Sequence, residues 1–115
     1  MNLNVIVKEK LLELGLKVSQ KGYHYIKEGV IRCIEEPALL HSMSQHLYPA
    51  IADTFNTTFA AAERAIRHAI DGAWDGGNIE AFYKHFGKTG KPTNKEFIMR
   101  LAEEILTQRE QECEG

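Results

Sequence analysis

Apolar positions in this chain recur at helical spacing and nowhere alternate strictly in the manner of a half-buried strand, which predicts an all-α fold. Leu3, Ile6, Val7, Leu11 and Leu14, with Lys10 among them, line one side of a first helix from about Leu3 to Leu14. Gly15 is its C-terminal stop. Ser19 offers an N-cap oxygen for a second helix through Glu36, and Pro37 follows it. Leu39, Leu40 and Met43 predict a short helix next, leading into Leu47 to Phe55. Pro49 fits the first turn there, where its missing N–H costs nothing.

The richest pattern runs from Phe55 to Ile70 and reads as the turn and second helix of a helix-turn-helix. Ile51 and Ala52 supply the buried aliphatic and the small crossing residue of the first helix. Asn56 tolerates the left-handed backbone of a tight turn, and Thr57 or Thr58 can cap the second helix. In that helix Ala62, Ala65, Ile66, Ala69, Ile70 and Ala73 form one apolar stripe at helical period. Geometry then assigns Ala60, Ala61, Arg64, Arg67, His68 and Asp71 to the outward side, with Glu63 at its flank. In a recognition helix such a face enters the major groove, where Arg pairs with guanine and Glu accepts from cytosine. The alternative is an ordinary bundle helix with those charges merely solvated.

Beyond it, Gly76 and Gly77 end the long helix after Trp74, and Asn78 can cap another that carries Ile79, Phe82, Tyr83 and Phe86. Gly87 to Pro92 is a loop by composition. Thr93 and Glu96 have capping-box spacing and open a last helix with Phe97, Ile98, Leu101 and Ile105 on its apolar side. The expectation is one domain over residues 1–115, about six helices, with a tail frayed from about residue 107.

At 115 residues and 43% hydrophobic content the chain can build a core without disulfides or metal. Cys33 and Cys113 match no metal spacing and read as plain thiols, one in the core and one in the tail. The uncharged stretch Ala38 to Ile51 is too short and too polar to span a bilayer, and the N-terminus lacks the form of a secretory signal, so no membrane partner and a cytoplasmic location are expected. The formal charge is −2 but uneven: residues 56–100 hold seven Lys/Arg against five Asp/Glu, and residues 101–115 hold one against five. A weakly basic centre beside an acidic tail permits DNA binding of modest affinity and strong salt sensitivity.

Several stretches add a more specific resemblance: Lys21-Gly22-Tyr23, Leu47-Tyr48-Pro49, Phe55-Asn56-Thr57-Thr58, Glu63-Arg64-Ala65-Ile66-Arg67-His68-Ala69-Ile70, Ala73-Trp74, Gly77-Asn78-Ile79 and Lys91-Pro92-Thr93-Asn94. In that order they resemble the C-terminal effector domain of the stage-zero sporulation regulator A family of response regulators. The resemblance implies an all-helical domain that binds double-stranded DNA and regulates transcription, with two copies on adjacent boxes as a homodimer. It also implies DNA contacts at Glu63 and Arg64, at Arg67 and His68, and at Lys91; Thr58 is a further candidate that also fits a structural cap. RNA polymerase is a candidate partner.

Two departures bear on function. The family's Ser-Arg before the Glu-Arg pair is replaced by Ala60 and Ala61, which removes base contact at that point, and its Ser-Arg before Gly-Asn has become Asp75-Gly76. No receiver domain is encoded in Met1 to Leu16: if Met1 is the native start the resemblance implies a receiverless relative, and otherwise an excised domain. These departures support a second reading, that of a decoy or protein-interaction module that antagonises the sporulation regulator or binds polymerase.

Other chemistry finds no support in spacing. His41 and His46 are five apart and miss the i, i+4 pair of a helical zinc site. His24 and His85 have no acid or nucleophile nearby in sequence, and no phosphate loop or catalytic triad stands out. No metal, no cofactor and no enzyme activity are expected.

Overall fold

In the computed structural model, which describes residues 2–114 and the side chains of residues 2–112, the apolar stripe that starts at Leu3 becomes helix α1 (Leu3–Glu13). Asn2 caps it. Gly15 adopts φ +96, and two hydrogen bonds close the end, Leu16 N–H to Leu11 carbonyl and Gly15 N–H to Leu12 carbonyl, each 3.0 Å. That pair is a Schellman motif, and the buried side chains of Leu11 and Leu16 accompany it.

Helix α2 (Lys21–Glu35) starts later than the Ser19 cap predicts. Gln20 N–H bonds the Lys17 carbonyl at 3.0 Å, so Ser19 is spent inside a turn and Gln20 takes the N-cap position with no side-chain hydrogen bond. The short helix expected around Leu39 is instead a 3-10 turn (Pro37–His41) and then a π-helical turn (Met43–Leu47), which runs directly into α3 (Tyr48–Thr54). Pro49 does lie in the first turn of α3. Asn56 has φ +53, and α3 closes with the same two-bond motif as α1: Thr57 N–H reaches the Ala52 carbonyl at 2.9 Å and Asn56 N–H the Asp53 carbonyl at 3.2 Å.

Thr58 then caps α4 (Phe59–Gly76), its hydroxyl accepting the Ala61 N–H at 3.1 Å. Thr58→Ala is expected to remove about 1 kcal/mol of stability, which urea unfolding would register as a lower midpoint at unchanged slope. Asn78 caps α5 (Ile79–Phe86). Thr93 and Glu96 form the reciprocal capping box, each side-chain oxygen accepting the other's N–H at 3.1 Å, and α6 (Asn94–Glu114) follows. This helix continues past residue 107, so the stretch expected to fray is helical through Glu114; the Cys113 side chain lies outside the described residues.

The fold is all-α, with six α-helices and no strand among the described residues. Helix α2 is its axis, packed against α1, α4 and α6, while α3 leans on α4 and α5 on α6. The predicted stripe of α4 faces inward, with Ala62, Ile66, Ala69, Ile70 and Ala73 buried. Cys33 is fully buried, and desolvation pushes its thiol up to about 11, which keeps it protonated and unreactive at neutral pH. Phe82 and Phe86 of α5 join Phe97 of α6, with centroids 6.3 and 5.0 Å away, and Trp74 meets Phe82 edge-on at 5.2 Å. Those aromatics are core; Ile79 and Tyr83, on the other side of α5, are exposed.

Candidate nucleic-acid interface

Because its stripe is buried, α4 must turn its remaining side chains outward. Ala60, Arg64, Arg67 and His68 are exposed, and Ala61, Glu63 and Asp71 half-buried. Two packing contacts hold the start of this helix in place. The ring of Phe59 meets that of Tyr48 edge-on at 5.4 Å, which ties the turn to α3, and the Asn94 amide donates to the Glu63 carbonyl at 3.0 Å, which ties it to α6. Burial, and after it the charge of Glu63, pushes the Tyr48 hydroxyl up to about 12, so it stays neutral beside that carboxylate.

The charges on α4 are not equivalent. Arg64 makes no ion pair among the described residues, and neither does His68. Arg67 approaches Glu63 one turn back at 3.5 Å, a loose exposed pair of small energetic weight. Lys91 comes from the loop between α5 and α6, and its ammonium lies 2.6 Å from Asp71 Oδ1. Between α4 and the segment from Lys91 to Lys95 runs a cleft of about 440 Å³, lined by Tyr48, Glu63, Arg67, Asp71, Lys91 and Lys95 among others.

Of the residues singled out in the sequence, the structure thus brings Glu63, Arg67 and Lys91 around one cleft, with Arg64 and His68 on the exposed side of the same helix. Thr58 sits at the start of that helix with its oxygen engaged as a cap. Lys95 at the cleft was not anticipated, nor was the pairing of Asp71, which the sequence places only on the outward side of the helix. Lys95 adds a cation from the first turn of α6, and Asp71 holds Lys91.

A family model described as sporulation initiation factor Spo0A C terminal matches residues 7–105. The chain belongs to this family. The match covers all of α2 to α5 together with the N-terminal half of α6, and so includes every outward residue of α4 and the loop that carries Lys91. The Spo0A C-terminal family consists of DNA-binding regulatory domains of sporulation rather than enzymes. No helix among the described residues is long and apolar enough to cross a membrane.

Proposed function

We propose that the chain is a sequence-specific transcription regulator, with α3, the Asn56 turn and α4 as its helix-turn-helix and the N-terminal half of α4 inserted in the major groove. The observation that carries this reading is Arg64: it is exposed and in no ion pair among the described residues, six positions beyond a capped helix start, where a paired contact to guanine O6 and N7 costs it no internal partner. Glu63 and Arg64 read bases. Arg67, His68 and Lys91 approach phosphates from either side of the cleft, and two copies on adjacent boxes can form a homodimer. The protein works in the cytoplasm, on double-stranded DNA.

Titrating a labelled box of the family type, with a randomised duplex pool as reference, tests this. Log K is expected to fall with log salt at a slope of about −3 to −5 if about four to six phosphates are neutralised. Arg64→Ala should keep most of that slope while erasing the preference for the box, since a bidentate Arg–guanine pair discriminates by about 1–3 kcal/mol. Absence of binding at low salt would sink the proposal.

A second reading rests on Ala60, which is exposed, and Ala61, which is half-buried: neither offers a polar atom to a base. On that reading the chain is a decoy that occupies the sporulation regulator or RNA polymerase rather than DNA. Purified regulator and purified polymerase, tested for binding in vitro, decide it; binding to neither rules it out.

A further inference from the structure

Asp71 is placed against the DNA-facing charges in a way that a solvated carboxylate would not be. Its Oδ1 is shut off from water and, among the described residues, has no hydrogen-bond partner in good geometry and no close charge partner but the Lys91 ammonium at 2.6 Å, so the contact is electrostatic by distance rather than by direction. Both side chains retain substantial exposure, 44% for Lys91 and 40% for Asp71, so the pair sits at the rim where solvent and a polyanion can both reach it. The backbone beneath it is anchored: Pro92, the next residue, is buried, and Thr93 belongs to the capping box of α6. Lys91 can therefore change partner by swinging its side chain while the loop stays where it is. On the α4 wall of the same cleft a looser pair lies within the helix, Glu63 beside Arg67 at 3.5 Å.

On the DNA-binding reading, we propose that Asp71 is an internal competitor for the phosphate backbone: in the free protein it holds Lys91 against α4, and DNA binds by taking that lysine away. A phosphate that receives Lys91 gains a cation, and Asp71 loses one at the same moment. The two changes offset, so Lys91 adds little to the affinity of the unmodified chain even though it touches DNA. The carboxylate thereby lowers affinity for every sequence alike, because phosphates carry no base information. Discrimination then falls more heavily on Glu63 and Arg64, which matters in a chain whose Ala60 and Ala61 contribute no polar contact.

The consequence is a coupling that a double-mutant cycle on DNA affinity measures directly. Asp71→Asn keeps the shape of the side chain and removes its charge. It is expected to tighten binding to a family-type box and to the randomised pool equally, by a factor of about 1.5 to 5, the range set by exposed ion pairs. Lys91→Ala should cost little in the unmodified chain but two- to fivefold more in the Asp71→Asn background. Asp75→Asn, one turn further along α4 and in no ion pair among the described residues, controls for through-space repulsion and should show no coupling to Lys91. If the cost of Lys91→Ala is the same in both backgrounds while the unmodified chain binds DNA, the competitor role is overturned and the DNA reading stands. If neither the unmodified chain nor Asp71→Asn binds at low salt, both fall. Binding by Asp71→Asn alone would overturn both as stated, because a factor of about 1.5 to 5 cannot separate binding from its absence.

Discussion

Gly22→Ala is expected to destabilise the protein by about 3 kcal/mol, although it adds a single methyl group. The first turn of α2 crosses α4 at this residue. A Cβ built on Gly22 falls 2.2 Å from the Ala65 carbonyl oxygen and 2.7 Å from the Ala69 methyl, and neither can step aside without moving the backbone of α4. The sign of the effect separates two physical influences. Alanine in a helix is favoured over glycine by up to about 1 kcal/mol, so an open site would be stabilised by the change. Gly72 is that open site, since the nearest atom to its added Cβ is Gln20 Nε2 at 3.7 Å. Gly72→Ala should raise the urea midpoint and Gly22→Ala should lower it steeply. A neutral or stabilising Gly22→Ala would mean that α2 and α4 do not cross this closely.

That crossing also bears on DNA. Ala65 follows Arg64 directly, so relief of the clash by backbone movement would displace the outward face of α4 at the residue proposed to read a base. Lost stability and lost box preference are therefore expected to appear together in Gly22→Ala, whereas Arg64→Ala should lose preference alone.

What was readable in the sequence, and what was not, divides by the range of the interaction responsible. The ends marked by Gly15, Asn56, Thr58, Asn78 and the Thr93–Glu96 box are set by hydrogen bonds among residues within five positions of each other, and each was legible from a few letters. Ser19 misled because the turn from Lys17 to Gln20 competes for the same residues, and a cap oxygen is useful only where the helix starts. The π-helical turn at Met43–Leu47 has no letter pattern of its own; it is settled by the burial of Met43 and Leu47 on either side of it. The outward face of α4 followed from the period of its buried stripe. The Lys91–Asp71 pair did not, because it joins residues from two elements twenty positions apart that only the packing of α6 on α4 brings together.

The least legible feature of all sits around His85, which in sequence has no acid beside it. In the fold its side chain is 2% exposed, and both ring nitrogens face carboxylates: Nδ1 lies 2.8 Å from Glu104 Oε2 on α6, and Nε2 lies 2.5 Å from Glu13 Oε1 at the end of α1. Lys10 pairs with Glu104 at 2.9 Å and Lys84 reaches Glu13 at 3.4 Å. Each ring nitrogen is within hydrogen-bond reach of a carboxylate oxygen. Three helices, α1, α5 and α6, are thus fastened through one side chain. The hydrogen bond from His85 is the main cause that holds the Glu13 carboxyl below its ordinary 4.5, against an opposing effect of burial. For Glu104 burial alone would raise it, and the hydrogen bonds from Lys10 and His85 outweigh that.

His85→Leu should therefore cost about 2–3 kcal/mol near neutral pH, less than a fully buried ion pair because both carboxylates keep some contact with water. The sign with pH comes from the direction of the two shifts. A carboxyl held low in the folded state contributes its stability above its ordinary value, and that contribution is lost as pH falls through the lowered folded value. Unfolding curves of the unmodified chain should accordingly weaken as pH drops below about 4.5, and the gap to His85→Leu should narrow over the same window, because a protonated Glu13 or Glu104 no longer requires the donor. Lys84→Ala, which removes the exposed member of the cluster, should cost under about 0.5 kcal/mol. Leucine also differs from histidine in shape, and a loss of packing would open a gap of the same size at every pH. A gap that closes on acidification is the mark of missing donors; one that stays constant would assign His85 to volume and remove the electrostatic fastening from the account.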